Sequence, residues 1–276
     1  MKYEISANNI ILSEIKCFDV GLTVDCGQSF RWKKTGDGIF KGIVSGKVIE
    51  IEEKNEKITF KNVSEKEFLS FWVKYFDLER KYEEIIENFE DKYLKIACKE
   101  YYGIRIMKQE PWETVCSFII SQNNNIPRIK GIIERLCENF GEKIGEEDYS
   151  FPSFEVISKL SEEDLAPIRA GFRNKYIIDA AKKFASGEIS AEKINSLKIE
   201  EAREELLKIK GVGPKVAECV LLYGFGRVEA FPVDVWVRRI VSELYPEGLP
   251  ECIKGNEGIA QQYLFHWRRN LKDGEI

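Results

Sequence analysis

The sequence predicts an α+β protein in which an N-terminal domain with an antiparallel sheet precedes a larger, all-helical domain. Three observations lead to this prediction. Short runs of β-forming residues alternate with turn signals over positions 10–63, and apolar patterns of helical period follow from Ser64 onward. A hairpin with two glycines then joins two helical patterns within positions 204–224. We place the domain bounds at 1–105 and 106–276.

The composition is that of a globular protein. The chain has 276 residues, of which 43% are hydrophobic and 12% aromatic, enough to form a core in one or two domains. The net charge of −5 argues only weakly against a nucleic-acid partner, because binding depends on a local basic face. The start, Met1–Ile5, lacks the apolar core of a signal peptide, and no apolar run reaches the ~18 residues of a membrane helix. We therefore expect a cytoplasmic monomer, associated with the nucleoid if the source is a microbe.

Cysteine and histidine usage excludes several classes of site. The seven cysteines are scattered, and no two lie close enough for a zinc knuckle or a four-cysteine iron–sulfur run. His266 is the single histidine, which removes most Ser-His-Asp, Cys-His and multi-histidine metal mechanisms. We expect no metal site and no organic cofactor.

The strands are predicted from β-forming runs and the turns between them. The runs are Thr23–Val24, Gln28–Lys33, Ile39–Val44, Val48–Glu52 and Ile58–Val63. Glycine, asparagine and charged residues mark turns at 35–38, 45–47 and 54–56. These runs and turns predict an antiparallel sheet.

The helices are predicted from capping residues and apolar periodicity. Ser64–Glu67 has the pattern of a capping box, Pro111 is placed at a first helical turn, and Ser161–Asp164 is predicted to start another helix. Asp234 and Asn256 are predicted N-caps. The expected helices are 126–140 (ended by Gly141), 174–184, 200–208, 214–223, 235–244 and 257–270.

Gly211 and Gly213 form the hairpin between two of these helices. Such a turn exposes unpaired amides at the N-terminus of the second helix, and these amides favour a phosphate. Lys208, Lys210 and Lys215 add positive charge nearby. An ordinary connector between helices has the same pattern, so the hairpin alone leaves both interpretations open.

Lys215 and Asp234 are the candidate catalytic residues. A lysine acts as a nucleophile only after it loses its proton, which an apolar wall such as Val216, Val220 and Leu221 favours. A solvated or phosphate-binding lysine is the alternative. Asp234 is a suitable helix N-cap, and a capping carboxylate can also face positive charge that develops on a sugar.

Several segments resemble known DNA glycosylases. Leu207–Leu222 and Phe231–Arg239 resemble the helix–hairpin–helix and Gly/Pro-Asp motif of that superfamily. Gly27–Trp32, Ser121–Arg128 and Ala260–Phe265 resemble, more narrowly, the 8-oxoguanine DNA glycosylase/AP lyase family of the eukaryotic type. The similarity spans nearly the whole chain. It implies a bifunctional repair enzyme that flips 8-oxoguanine, paired with cytosine, out of duplex DNA, excises it and nicks the strand by β-elimination.

The resemblance assigns roles to residues at the reacting centre. Lys215 would attack C1′ and form a Schiff base, while Asp234 would stabilise the cationic sugar. Cys219 and Phe265 would hold the two faces of the flipped base, and Cys219 lies one helical turn after Lys215.

The resemblance also completes the base pocket. Gln261 would bond the Watson–Crick edge, and the Gly27 carbonyl would accept the N7 hydrogen that 8-oxoguanine has and guanine lacks. From the residues alone, each of these four pocket positions is equally compatible with an ordinary core, surface or turn role.

Further residues are implied to contact the duplex. Asn123 would fill the space left by the extruded base, and Arg128 and Arg173 would read the estranged cytosine. Two positions depart from the family. Phe172 stands where a tyrosine wedge is usual, and Trp236 stands where animal members have a histidine near a phosphate. The first departure puts the opposite-base preference in doubt, and the second weakens the phosphate contact or turns it into stacking.

The hairpin glycines, Gly211 and Gly213, would receive a DNA phosphate. The family often holds a monovalent cation through hairpin carbonyls, and the sequence leaves that open.

Two other interpretations compete with this one. A helix–hairpin–helix glycosylase for alkylated purines or oxidised pyrimidines would share the hairpin, although the missing cysteine cluster disfavours the iron–sulfur branch. A non-catalytic DNA-binding module would use the hairpin alone, and it would leave the presence of both Lys215 and Asp234 unexplained.

Overall fold

The computed structural model describes residues 1–271, and within them a six-stranded antiparallel sheet precedes a helical body. The strands are β1 (Lys2–Ser6), β2 (Asn9–Ser13), β3 (Trp32–Gly36), β4 (Ile39–Val44), β5 (Lys47–Lys54) and β6 (Lys57–Lys61). Their order across the sheet is β1-β2-β6-β5-β4-β3. The α+β prediction is therefore confirmed. No helix in this part of the chain is both long and apolar enough to span a membrane.

Two-residue turns with positive φ set the register of the sheet. Ser45 and Gly46 have φ of 48° and 75° and join β4 to β5, where Val44 pairs with Lys47. This backbone twist matches that of the flanking strands, as in type I′ hairpins. The turn predicted at 45–47 lies at this point.

The start of the sheet differs from the prediction. The predicted strand Thr23–Val24 lies instead in the helix α1 (Val20–Asp25). The Asp19 side chain caps it by accepting from the Leu22 amide at 2.7 Å. The two β-formers therefore follow a helix cap, and the cap decides the local structure. Neither β1 nor β2, which form one side of the sheet, was among the predicted strands.

The predicted strand Gln28–Lys33 is also shorter than expected. Only Trp32 and Lys33 belong to β3, because Gln28 is drawn into the core before the strand begins. The Gln28 amide nitrogen donates to the carbonyls of Thr23 (2.9 Å) and Arg105 (2.7 Å), and its oxygen accepts from the Met107 amide. This buried glutamine fixes the loop ahead of the strand.

The helices after the sheet largely follow the predicted pattern. They are α2 (Glu65–Glu67), α3 (Val73–Tyr75), α4 (Tyr82–Glu87), α5 (Lys92–Glu100), α6 (Pro111–Ser121), α7 (Ile126–Phe140), α8 (Phe154–Ile157), α9 (Asn174–Ala185), α10 (Ala191–Ser196), α11 (Ile199–Leu207), α12 (Pro214–Phe225), α13 (Val235–Leu244) and α14 (Glu257–Asn270). A π-helical turn, Phe68–Trp72, joins α2 to α3. The Ser64 cap and the place of Pro111 in a first turn are confirmed.

Two predicted helix starts are wrong in detail. Ser161–Asp164 forms a closed turn, because the Ser161 amide and hydroxyl both donate to Asp164 at 2.8 Å. Pro167 then lacks the amide that a helix from this point would need, and only the 3₁₀ turn Ala166–Ile168 follows. Asn256 precedes α14, yet its side chain makes no capping hydrogen bond.

The catalytic-helix candidate α12 lies at the centre of the helical body. Every residue from Val216 to Phe225 is buried. The helix packs against α6 on one side and α11 on the other. A helix that is buried all round fixes the position of its first turn, where the half-buried Lys215 lies.

The sheet and the helical body have separate cores that meet near Arg105. Cys17, Cys26 and Phe30 come from the N-terminal part of the chain but pack in the helical core. Arg105 is 3% exposed, and its guanidinium donates to backbone carbonyls that include those of Cys17 (2.8 Å) and Asp77 (2.6 Å). This buried arginine holds the loop before α1 against the helical body. The base-pocket candidate Gly27 lies just after the same helix. The domain bounds at 105 and 106 stay a prediction.

Candidate active site

Lys215 lies in the first turn of α12, directly after Pro214. Its Nζ is 5.0 Å from the centre of the Phe118 ring. Phe118 comes from α6 and stacks on Tyr223 with a centroid distance of 5.3 Å. Sequence analysis did not single out Phe118, which supplies an aromatic face to the lysine. The Phe118 ring therefore covers one side of the lysine amine.

Cys219 lies one turn further along α12, next to Lys215. Its side chain is 2% exposed, and burial raises the pKa of the thiol, while the Lys215 charge opposes that rise. The thiol is therefore neutral at ordinary pH. A small, neutral, polarisable group on the same helix face as the lysine suits contact with the face of a base.

Asp234 caps α13 at the same site. Its carboxylate accepts from the Val237 amide at 2.8 Å, as the capping prediction requires. The Asp234 charge also contributes to the raised pKa of the Cys219 thiol, after the larger effect of burial. The flanking Val233 and Val235 are 36% and 62% exposed. Asp234 is thus a half-buried cap between two exposed valines.

Glu218 holds the segment that carries Asp234, and sequence analysis missed it. It is 8% exposed on α12, and its Oε2 accepts from the Phe231 amide at 2.7 Å. Its other oxygen pairs with Arg203 of α11. The signal in the sequence is a carboxylate inside the otherwise apolar run 216–225. Glu218 therefore links the hairpin helices to the loop before Asp234.

The predicted base-pocket residues Gly27, Gln261 and Phe265 also meet. Gly27 has φ +87°, and a Cβ there would lie 3.5 Å from the Phe265 ring. Gln261, one turn before Phe265 on α14, is 4% exposed, and its Oε1 has no hydrogen-bond partner within residues 1–271. Buried amides are usually bonded. An unsatisfied amide beside an aromatic ring suits a polar, flat ligand.

Gln262 anchors this pocket from behind and was missed by sequence analysis. Its amide nitrogen donates to the Cys26 carbonyl at 2.9 Å, and its oxygen accepts from the Tyr223 hydroxyl at 2.5 Å. Tyr223 stacks on Phe118, which faces Lys215. One chain of contacts therefore joins the Gly27 loop, α14 and the lysine.

Each of the three consecutive asparagines has a different place. Asn125 caps α7 by accepting from the Arg128 amide at 3.0 Å, and Asn124 donates to the Ile120 carbonyl at the end of α6. Asn123 is exposed, with φ of +47°. Left-handed backbone is tolerated better by asparagine than by most residues. The turn therefore presents Asn123, while its two neighbours hold the turn.

Arg173 differs from the expectation that it presents free donors. It is 3% exposed, and it donates to the carbonyls of Gln122, Asn123 and Ala170. In this state Arg173 braces the asparagine turn. Reading a base therefore requires that it exchange some of these bonds, and that role stays a prediction. Arg128 is exposed, as its predicted role needs.

The hairpin is tighter than the sequence suggested. Gly211 has φ +81°, and a Cβ there would lie 2.4 Å from the Tyr176 ring, so only glycine fits. The Lys210 amide donates to Asp179 at 2.8 Å and the Val212 amide to Ile209 at 3.0 Å. Those two amides are therefore not free for a phosphate. Gly213 N-caps α12, with open space beside it.

Comparison with known proteins agrees with this geometry. Residues 10–115 match the 8-oxoguanine DNA glycosylase N-terminal domain, and residues 116–249 match the HhH-GPD superfamily of base excision DNA repair proteins. An N-glycosylase/DNA lyase of Saccharomyces cerevisiae is 34% identical, over 89% of this chain and 72% of its own length. The chain belongs to the 8-oxoguanine DNA glycosylase family.

Solved structures of the family share the fold over nearly the full chain. MBOgg1 in complex with a low-affinity DNA ligand has a TM-score of 0.91 at 41% identity, covering 98% of this chain and 99% of its own. The Clostridium acetobutylicum 8-oxoguanine glycosylase/lyase, bound to double-stranded DNA with cytosine opposite 8-oxoguanine, has a TM-score of 0.90 at 37% identity. It covers 98% of both chains.

Of the two departures from the 8-oxoguanine glycosylase pattern, Phe172 is exposed and Trp236 is half-buried. Phe172 is 52% exposed, and the Arg173 guanidinium lies 4.4 Å from its ring centre. Trp236 lies on α13, two residues after Asp234, and the Arg239 guanidinium is 5.4 Å from its ring centre. An arginine held over an aromatic ring is a suitable phosphate ligand. Trp236 was expected to contact the DNA phosphate less well than a histidine would, and the neighbouring Arg239 supplies a positive charge at this position.

Proposed function

We propose that this chain is a bifunctional 8-oxoguanine DNA glycosylase/AP lyase that acts on duplex DNA with cytosine opposite the lesion. The observation that carries the proposal is the position of Lys215 against Phe118 and one turn before Cys219 on α12, where the Asp234 charge also acts. Tyr223 and Gln262 join this end of the site to the loop of the pocket candidate Gly27, beside which Phe265 lies. Glycosylase and lyase names among its relatives, and the DNA-bound structures of its family, support the same activity.

The reaction begins with extrusion of the damaged nucleotide, because C1′ is not accessible inside the duplex. In the proposed complex, Phe265 and Cys219 hold the two faces of the base, and Gln261 bonds its Watson–Crick edge. The Gly27 carbonyl accepts the N7 hydrogen. Guanine presents a lone pair at N7 instead of a hydrogen, so two acceptors would face each other and guanine is rejected.

The neutral Lys215 amine then forms a bond to C1′, and the C1′–N9 bond breaks with its electron pair on the base. Asp234 faces the positive charge that develops on the sugar, which lowers the barrier. A proton passes from the new secondary ammonium to the departing base. Opening of the sugar gives the Schiff base, and loss of a C2′ proton expels the 3′ phosphate and nicks the strand.

Nothing in this scheme uses a metal or an organic cofactor, since the lysine supplies the covalent chemistry. A monovalent cation at the hairpin carbonyls stays a prediction, as does a location in the cytoplasm at the nucleoid.

The test is single-turnover excision from end-labelled duplexes that carry 8-oxoguanine opposite each of the four bases. We expect base release and strand nicking, fastest opposite cytosine. Duplexes with undamaged guanine, 3-methyladenine and an oxidised pyrimidine are the controls. Release of 3-methyladenine without release of 8-oxoguanine would move the assignment to another lesion class, and binding without any product would leave a DNA-binding module.

A further inference from the structure

Arg269 extends the pocket face of α14 by one turn. Gln261, Phe265 and Arg269 are spaced four residues apart, so their side chains follow one another along one side of the helix. The Arg269 Nη1 lies 3.6 Å from the point where a Gly27 Cβ would be, and Phe265 Cε1 lies 3.5 Å from the same point. The guanidinium is thus at the junction of two pocket residues.

Among residues 1–271, the Nη1 of Arg269 is buried without an acceptor. The adjacent Arg268 pairs through its Nη2 with Glu243 at 3.2 Å, although its Nε also lacks a partner within residues 1–271. Its neighbour His266 is neutral, because burial first and the Arg269 charge second lower the pKa of the imidazole to about 4. The negative charge of Asp25 raises the His266 pKa, but by less than these two effects lower it. A buried guanidinium N–H without an acceptor is unfavourable, and a ligand that supplies one relieves this.

The missing acceptor has a counterpart in the proposed substrate, and this step rests on the proposed function. If the Gly27 carbonyl faces N7 of the flipped base, the C8 oxygen lies next to Gly27, where Arg269 is found. That oxygen distinguishes 8-oxoguanine from guanine as clearly as the N7 hydrogen does. We infer that Arg269 donates a hydrogen bond to the C8 oxygen and is a specificity-determining residue of this enzyme.

This contact also acts on the chemical step. When the C1′–N9 bond breaks, its electron pair stays on N9 and is delocalised through C8 onto the C8 oxygen. The oxygen therefore gains negative charge in the transition state, and a charged donor already in place binds it more tightly there than in the ground state. The base then takes up the proton released at Lys215, so no other reactant is needed.

The bifunctional reaction provides an internal control. A preformed abasic site has no base, so its Schiff-base formation and nicking do not use the C8 oxygen. We expect Arg269→Met to slow single-turnover excision of 8-oxoguanine by about 10²-fold, the usual effect of removing one oxyanion donor. Nicking of an abasic duplex by the same variant should stay within about twofold, which also shows that it folds. Arg268→Met is the matched control and should leave both reactions unchanged.

A second substrate tests the atom itself. 8-Thioguanine keeps the N7 hydrogen but has sulfur, a weak acceptor, at C8. Arg269→Met should therefore cost much less with this base than with 8-oxoguanine, and Arg269→Lys should restore part of the loss on 8-oxoguanine.

Three results would overturn the inference. Equal losses in excision and abasic nicking would mean that Arg269 contacts the DNA backbone. Unchanged excision would mean that it contacts neither backbone nor base, and equal losses on the oxo and thio bases would mean that the C8 oxygen is not its partner. A wild-type protein without 8-oxoguanine excision would instead refute the proposed function, so the two failures are distinguishable.

Discussion

Glu218 is predicted to position Asp234, and its replacement should impair both stability and catalysis. Glu218→Ala removes the acceptor of the Phe231 amide at 2.7 Å and the partner of Arg203. A hydrogen bond to a buried charge contributes about 1.5–3 kcal/mol. Because the Arg203 side chain is 33% exposed, its ion pair adds at most about 1 kcal/mol. The free energy of unfolding should therefore fall by roughly 2–4 kcal/mol.

The catalytic effect follows from the short distance along the chain between Phe231 and Asp234, which only two residues separate. A displacement of about 1 Å at a reacting group costs up to 10²-fold in rate, so Glu218→Ala should slow excision by about 10–100-fold. Urea unfolding and single-turnover excision at saturating enzyme measure the two effects. Glu218→Gln is the control, because it keeps an acceptor for Phe231 and should retain most of the rate. An alanine variant that loses stability but excises at the wild-type rate would show that Glu218 is only structural.

Three further predictions concern the hairpin, the sole histidine and the wedge. Gly211→Ala places a Cβ 2.4 Å from the Tyr176 ring at φ +81°, so it should lower the free energy of unfolding in urea by at least about 2 kcal/mol. Gly213→Ala has open space around it and should lower it by no more than about 1 kcal/mol. Equal losses in the two variants would contradict this prediction. His266 is held neutral with a pKa of about 4, below its unfolded value, so its contribution is complete above pH 6.5 and is lost as the pH falls to 4. His266→Gln should therefore flatten the fall in stability over that range by about 1–3 kcal/mol, and an unchanged slope would refute the assignment. Phe172→Ala should weaken binding to a lesion duplex by roughly 5–100-fold in a fluorescence titration with the melting temperature unchanged, because the ring is 52% exposed and base stacking contributes about 1–3 kcal/mol; unchanged affinity would exclude a wedge.

Local signals were sufficient where a helix end depends on its own side chains. Two helices have the predicted bounds. They are α7, which lies between the Asn125 cap and Gly141, and α13, which begins after Asp234. The same reasoning failed where a residue's partner is distant in sequence. Thr23 looked like a strand residue, but it lies in a capped helix and its hydroxyl donates to the Gly103 carbonyl at 3.1 Å.

The site residues that were missed share this dependence on distant partners. Gln262 bonds Cys26 across 236 positions, and Glu218 bonds Phe231 across 13 positions, beyond the end of its own helix. Arg173 was predicted as a DNA contact, and its burial against the asparagine turn depends on backbone carbonyls 50 and 51 positions away. A motif indicates which residue type the chemistry needs, but the packing determines what holds that residue in place.

The most direct test of the account is borohydride trapping of the enzyme on an 8-oxoguanine duplex, followed by mass mapping of the attached peptide. Wild type should form a covalent adduct on Lys215, and Lys215→Gln should form none while still melting at the wild-type temperature. An adduct on another amine, or base release by Lys215→Gln at the wild-type rate, would contradict the lysine mechanism.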